Sequence, residues 1–218
     1  MKNVLPLAIV VVISCCSVAY AQTPFHNEIA AFKKLDSISL PPKNAIVFVG
    51  SSSFRMWSDV QSYFPRYTII NRGFGGSSLP DVIRYTPDLV LKYRPKQVLI
   101  YAGDNDLAAS ASVTADTVFN RFKTLFTMIR RGLPKANIAY VSIKPSPSRK
   151  HLMPDMALAN SLIKSFVAKQ KNASFIDVYH PMLTNSKPKP EIFLSDSLHM
   201  NKAGYAIWHK AIKPYLKK

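Results

Sequence analysis

The sequence predicts a three-layer α/β/α sandwich with a five-stranded parallel sheet at its centre. Five short apolar runs lack the alternation of half-exposed strands, which is typical of strands covered on both faces. Between them lie segments whose apolar residues recur every three or four positions, as in helices that bury one face. This alternation predicts right-handed crossovers and a ligand site at the carboxyl ends of the strands.

The five predicted strands follow one another along the chain. They cover residues 45–49, 68–71, 97–102, 137–143 and 174–178. With 218 residues, of which 48% are hydrophobic, the chain is long enough for one domain with a sizeable core. We therefore expect one domain over residues 45–218, preceded by an N-terminal segment over residues 22–44.

Helical spacing is found before and between these strands. A short pattern spans residues 27–35, and two longer ones span residues 118–129 and 159–167. The second long helix is expected to begin near Pro154, because proline suits a first helical turn.

The last part of the chain predicts a loop and a helix. The stretch from Lys187 to Pro190 alternates lysine with proline and is expected to be a surface loop. A final helix is predicted to begin at Asn201, a suitable N-cap, and to end near Pro214.

The first residues have the pattern of an export signal. Lys2 precedes an apolar run over residues 4–13, and small residues follow, ending on Ala19-Tyr20-Ala21. The run is too short to span a bilayer. We therefore expect residues 1–21 to be a cleaved signal peptide and the protein to be periplasmic or secreted.

A second processing route competes with this one. Val12-Ile13-Ser14-Cys15 resembles a bacterial lipobox, in which a lipoprotein signal over residues 1–14 would be removed and Cys15 lipidated. Membrane association is expected only on that route. Along the first route the mature chain contains no cysteine, which excludes disulfides, a thiolate nucleophile and thiolate metal sites.

The composition is strongly basic. The chain has 29 Lys and Arg against 12 Asp and Glu, a formal net charge of +17. The lysines are scattered along the sequence without a basic run interleaved with aromatics, so we expect a solvated basic surface and no nucleic-acid partner. The histidines are dispersed, which indicates no metal site, and no cofactor is predicted.

Polar residues follow the first three predicted strands. The loops contain Gly50-Ser51-Ser52-Ser53, then Gly73-Phe74-Gly75-Gly76, then Gly103-Asp104-Asn105-Asp106. Because they meet at one edge of a parallel sheet, they gather hydroxyls, backbone amides and a carboxamide. A nucleophile beside donors for a developing oxyanion is the equipment of acyl transfer.

A serine hydroxyl needs a base, and the base needs an orienting group. Asp196-Ser197-Leu198-His199 supplies both shortly before the last helix, since a turn brings residues three apart to one side. An aspartate in this position could orient the imidazole of His199 toward Ser52.

From about Ala45 to Tyr215 the chain resembles the SGNH or GDSL hydrolase family (GDSL-like lipases and esterases), in particular its platelet-activating-factor acetylhydrolase-like branch. The resemblance implies a flavodoxin-like SGNH hydrolase fold and a serine esterase with no cofactor. It places the nucleophile on Ser52 and the rest of the triad on Asp196 and His199. It places the oxyanion hole on the amides of Ser52 and Gly76 and the side chain of Asn105.

Two features of the sequence complicate this assignment. The family's block-one aspartate is replaced by Ser51, which leaves Ser51 and Ser53 as rival nucleophiles. In addition, Asp177-Val178-Tyr179-His180 repeats the Asp-x-x-His spacing, so His180 is a rival base.

The sequence also has features of other functional classes. Gly73-x-Gly75-x-x-Ser78 follows a strand, as in nucleotide-binding proteins, but the third glycine and the later acidic residue are missing. A non-catalytic glycan- or lipid-binding module on the same fold is a further alternative. The expected substrates are short-chain acyl or acetyl esters of carbohydrates or lipids, with a lysophospholipase as the alternative; the sequence does not predict the oligomeric state.

Overall fold

The computed structural model describes residues 24–218, so the predicted signal peptide and Cys15 lie outside the described residues. Five parallel strands form one sheet in the order β2-β1-β3-β4-β5. The strands are β1 (Ile46–Gly50), β2 (Ile69–Gly73), β3 (Gln97–Tyr101), β4 (Asn137–Val141) and β5 (Ala173–Ile176). Each begins and ends within two residues of its predicted bounds, and the predicted parallel sandwich is confirmed.

Eight helices surround the sheet in the described part of the chain. They are α1 (His26–Ile38), α2 (Ser52–Arg55), α3 (Val60–Tyr63), α4 (Leu79–Leu89), α5 (Asp104–Ala109), α6 (Ala115–Gly132), α7 (Met153–Val167) and α8 (Lys202–Ile212). The predicted helices correspond to α1, α6, α7 and α8. Asn201 caps α8 as predicted, because its side chain accepts hydrogen bonds from the amides of Ala203 and Gly204.

The core has two layers, one on each face of the sheet. Along β1, Val47 and Val49 point into the layer covered by α1, α4, α6 and α7, whereas Ile46 and Phe48 point into the layer covered by α2, α3 and α8. All four side chains are fully buried. Coverage on both faces explains why these strands are continuous apolar runs.

Helix α1 is attached to the sheet through a buried ion pair. Asp36 accepts a 2.6 Å hydrogen bond from Arg72 on β2, and also binds Lys92 and the Tyr93 hydroxyl. Burial raises the pKa of the Asp36 carboxyl, but these donors outweigh burial and hold the pKa below its usual value. Asp36 is therefore a charged anchor for the N-terminal helix.

The structure corrects the predicted loop from Lys187 to Pro190. Lys187–Pro188 (β7) pairs antiparallel with Leu183–Thr184 (β6) in a small hairpin. The turn between them is formed by Asn185 and Ser186, both with positive φ, as two-residue hairpin turns require. Two-residue strands are too short to show alternation in the sequence. Across residues 24–218, none of the helices has the length and apolar character needed to cross a membrane.

Candidate active site

Ser52 lies at the carboxyl end of β1, as the first residue of α2. Its amide is therefore at a helix N-terminus, where it has no intrahelical acceptor. Asn71 on β2 holds this helix in place, because its side-chain amide donates to the carbonyls of Phe54 (2.7 Å) and Trp57 (3.3 Å). Gly73 allows the close approach of α2, since a Cβ there would lie 2.4 Å from the amide nitrogen of Arg55.

His199 and Asp196 complete a hydrogen-bonded chain with this serine. The Nε2 atom of His199 is 2.9 Å from Ser52 Oγ, and its Nδ1 atom is 2.6 Å from Asp196 Oδ2. The hydrogen bond from His199 lowers the pKa of Asp196 to about 2. Because the ionised carboxylate only accepts, Nδ1 of the neutral ring carries the proton and Nε2 is free to accept from Ser52.

The segment between Asp196 and His199 is a rigid turn. Asp196 Oδ1 accepts from the amides of Leu198 and His199, both at 2.9 Å. The carbonyl of Ser197 accepts from the amide (3.1 Å) and the hydroxyl (2.9 Å) of Ser148, which ties the turn to the loop after β4. The aspartate thus fixes both the ring of His199 and the backbone that carries it.

Gly76 and Asn105 lie beside each other in the segments that follow β2 and β3. A Cβ on Gly76 would lie 3.9 Å from Asn105 Nδ2, so the two predicted oxyanion donors are neighbours. Asn105 Nδ2 also donates to the carbonyl of Ser77 (3.0 Å), and its Oδ1 accepts from Arg149 (2.9 Å). Arg149 therefore fixes the orientation of the amide, with the nitrogen toward Gly76.

A buried charge cluster connects the two sides of the site. Arg149 pairs with Asp104 at 3.0 Å, and Lys144 lies 3.9 Å from the same carboxylate oxygen. Lys144 Nζ donates a 2.9 Å hydrogen bond to the carbonyl of Leu198, next to His199. Burial lowers the pKa of Lys144 to about 8, although Asp104 opposes the shift.

Helix α1 contacts the loop that carries Gly76. Glu28 Oε1 accepts a 3.0 Å hydrogen bond from the amide of Gly75 and lies 3.7 Å from Arg55 Nε on α2. Phe25 packs edge-to-face on Phe74, with ring centroids 5.2 Å apart. One carboxylate therefore links the glycine loop to the helix that begins with Ser52.

The rival residues are placed differently. Ser51 and Ser53 are 1% and 3% exposed, and among the three serines of this run only Ser52 has a hydrogen bond to a histidine in the described residues. His180 forms a similar pair with Asp177, at 2.7 Å, but it follows β5, which is separated from β1 by two strands. It borders a separate cavity of about 280 Å³.

Four contributors to the site were absent from the sequence-based prediction: Asn71, Lys144, Arg149 and Glu28. Asn71, Lys144 and Arg149 lie in or after strands near the carboxyl edge, which is the one feature of the sequence that could have singled them out. Glu28 precedes the predicted domain and carries no such feature. Within residues 24–218, no group of three or more His, Cys, Asp or Glu side chains could hold a metal ion.

Comparison with known proteins is consistent with this geometry. The GDSL-like Lipase/Acylhydrolase family model matches residues 43–207. An isoamyl acetate-hydrolyzing esterase from Schizosaccharomyces pombe is 26% identical over 141 residues, which are 62% of this chain and 56% of the esterase. The platelet-activating factor acetylhydrolase IB subunit alpha1 of Pongo abelii is 22% identical over 74% of this chain and 70% of that subunit. The match thus spans little more than half of the yeast esterase.

Solved structures share the fold. A GDSL-like lipase from Bacteroides thetaiotaomicron superimposes with a TM-score of 0.71 at 22% identity, over 86% of this chain and 96% of that one. An acetyl xylan esterase from Geobacillus stearothermophilus gives a TM-score of 0.62 at 16% identity, over 80% and 94% of the two chains. These likenesses establish the architecture, and the family model spans most of the sequence. The chain belongs to the GDSL-like lipase/acylhydrolase family.

Proposed function

We propose that this protein hydrolyses carboxylic esters through an acyl-enzyme on Ser52. The observation that carries the proposal is the continuous hydrogen-bonded chain from Asp196 through His199 to Ser52. A hydroxyl within 2.9 Å of a neutral imidazole nitrogen, itself oriented by a carboxylate, has the base that serine nucleophiles require.

In the proposed reaction His199 Nε2 accepts the proton of Ser52 as Oγ attacks the ester carbonyl carbon. The carbonyl oxygen becomes an oxyanion in a tetrahedral intermediate. The protonated His199, stabilised by Asp196, then donates its proton to the alcohol oxygen, the ester C–O bond breaks and the acyl group remains on Ser52. His199 then accepts a proton from water, which attacks the acyl carbon. The bond to Ser52 Oγ breaks, Ser52 regains its proton from His199 and the acid is released.

The oxyanion is assigned to the amides of Ser52 and Gly76 and to Asn105 Nδ2. Each preorganised donor of this kind is worth about 3 kcal/mol of transition-state stabilisation. The neighbouring positions of Gly76 and Asn105, and the hold of Arg149 on Asn105, support this assignment. Fixed donors need no reorganisation when the charge develops.

We assign short acyl groups, acetyl above all, as the substrate class, carried on a carbohydrate or lipid alcohol. The names of two related proteins support this choice, since one is an isoamyl acetate-hydrolyzing esterase and the other an acetylhydrolase subunit.

We also propose export to the periplasm or the medium, supported by the basic, apolar and small-residue pattern of residues 1–21. Mass determination of the protein recovered from the producing cell separates the two routes. Cleavage after Ala21 supports the secretory signal, whereas a lipid-modified N-terminus at Cys15 supports the lipoprotein.

The activity is tested with p-nitrophenyl esters of increasing chain length, together with acetylated xylan and lysophosphatidylcholine. We expect kcat/KM to be highest for acetate and to fall as the chain lengthens. A maximum for long chains, or for the lysophospholipid, would identify a lysophospholipase instead. Failure of a fluorophosphonate probe to label the folded protein would favour the non-catalytic binding module.

A further inference from the structure

The face opposite the candidate active site, which we name the basal face, has a pronounced charge imbalance. It consists of the segments that lead into the five strands and of the C-terminal residues: 39–45, 64–68, 90–96, 131–136, 168–172 and 213–218. In a parallel sheet the amino ends of all strands meet at one edge. Two 2.9 Å hydrogen bonds, between the Gln97 side chain and the backbone of Tyr215 and Lys217, fix the C-terminal residues at the start of β3.

These six segments contain twelve of the 29 Lys and Arg residues and none of the 12 Asp and Glu residues. All of the twelve except Lys96 are exposed. Among the described residues, Lys92 is the one of the twelve that pairs with a carboxylate, the buried Asp36. Another nearby carboxylate, Asp88 at the end of α4, is paired with Lys33. In the described part of the chain, eleven of the twelve cations on the basal face therefore have no carboxylate partner, and the face has a strong positive potential.

The basal face is also held rigid. Arg130, at the end of α6, donates to the carbonyls of Pro134 (3.0 Å) and Ala136 (2.7 Å) in one segment, and to those of Lys171 and Asn172 (both 3.0 Å) in the next. An open groove of about 740 Å³ lies on this face, with Arg94, Lys96 and Lys135 in its lining. The cations are thus displayed on a fixed frame.

The basal face also has exposed apolar side chains. Ile38 is 76% exposed, Leu40 61% and Tyr215 37%. All three lie in or directly beside the segments of the basal face, and Leu35, also exposed, is one helical turn before Ile38. Exposed aliphatic groups beside lysines match the interface of an anionic bilayer, where apolar groups enter the acyl boundary and cations meet phosphates. Nucleic acids and glycans offer no such apolar layer.

We propose that the basal face binds the surface of an anionic phospholipid bilayer. Ile38 and Leu40 enter the interfacial layer, while the lysines of the surrounding segments contact the lipid phosphates. The candidate active site then faces the aqueous phase on the opposite side. This contact needs no lipid on Cys15 and does not depend on ester hydrolysis.

The test is sedimentation of the full chain with vesicles of phosphatidylcholine alone or with about 30% phosphatidylglycerol. One variant combines Lys43→Glu, Lys135→Glu and Lys171→Glu. Its matched control combines Lys150→Glu, Lys187→Glu and Lys202→Glu, which change the net charge equally at exposed positions away from the basal face. We expect the basal variant to lose about 100-fold in partition coefficient on anionic vesicles. The control should keep most of its binding.

A second variant, Ile38→Ser with Leu40→Ser, leaves the charge unchanged and should lose about tenfold. All variants share residues 1–21, so differences between them report the basal face, and circular dichroism confirms folding. Equal losses in the basal variant and its control would overturn the proposal. A second combination of results would also overturn it: the serine variant binds vesicles as well as the wild type does, and the wild type binds heparin or DNA tightly. That combination would identify the basal face as a surface for polyanions.

Discussion

The imidazole Nε2 of His199 lies 2.9 Å from the hydroxyl of Ser52, although 147 residues separate the two in the sequence. The first residue of α2 and the turn before α8 are brought together because α2 follows β1, an inner strand of the sheet between β2 and β3, and α8 packs on the same face of the sheet as α2. The same contact distinguishes Ser52 from the serines on either side of it.

Ser52→Ala is expected to lower kcat by at least about 10⁴-fold and to abolish labelling by a fluorophosphonate, since the nucleophile is lost. Ser51→Ala and Ser53→Ala are the matched controls and should keep the label, because both hydroxyls are buried. Labelling is measured by mass spectrometry of the intact protein. If Ser52→Ala were still labelled, a neighbouring serine would be the nucleophile.

Asn105→Ala should reduce kcat about 100-fold with little change in KM, because the amide acts on the transition state. Asn105→Asp keeps the shape and the acceptor for Arg149 but loses the donor, so a similar loss is expected. Thermal unfolding of both variants checks that folding is intact. Wild-type turnover in either variant would remove Asn105 from the reaction.

His199→Ala is expected to lower kcat at least about 10³-fold, whereas His180→Ala should change it less than about twofold. The His180 side chain is 78% exposed and lies beyond two strands from Ser52, so its removal disturbs neither the site nor the core. Steady-state kinetics on p-nitrophenyl acetate compare the two variants. A larger loss of kcat in His180→Ala than in His199→Ala would identify His180, paired with Asp177, as the base.

Replacing Lys144 by Met should alter the pH dependence of stability. Burial lowers the pKa of Lys144 from 10.5 to about 8, so between these pH values the unfolded chain binds more protons than the folded one. Stability therefore rises with pH in this window for the wild type and not for the variant. The measurement is urea unfolding of both proteins at pH 7.5 and at pH 10.5. Between these two pH values, the free energy of unfolding of the wild type should rise by about 3 kcal/mol relative to that of the variant. An unchanged difference would mean that Lys144 keeps its ordinary pKa when folded.

Glu28→Ala should lower kcat about tenfold, because the Gly75 amide loses its acceptor and the Gly76 loop becomes less well fixed. Glu28→Gln keeps an oxygen acceptor and should restore most of the activity while losing only the charge facing Arg55. The measurement is kcat and KM for both variants. Equal losses would assign the effect to the ion pair and not to the amide.

The strands were predictable because a buried parallel strand must be apolar throughout, and β1 and β3 show this most plainly. The longest helices, α6 and α7, were predictable from spacing repeated over several turns. The eleven-residue helix α4, which contains Pro87, was not predicted. The short helices α2, α3 and α5 hold six residues or fewer, so no periodicity could develop. The hairpin of β6 and β7 was missed for the same reason.

The triad residues could be named from the order of the motifs, but their supporting contacts could not. Nothing in the sequence indicates that Lys144 is buried, yet it is 1% exposed and donates to the carbonyl of Leu198, next to His199. The basic residues likewise look scattered until the sheet aligns the starts of its strands. Both features arise from tertiary contacts between distant segments.

The attachment of α1 has a practical consequence for the boundaries of this enzyme. The family model begins at residue 43, after both Glu28 and Asp36. A protein shortened to the matched span would retain Ser52, Asp196 and His199, but it would leave Phe74 uncovered and Arg72 buried without its carboxylate. We therefore expect the smallest stable catalytic unit to begin before the span that the family model matches.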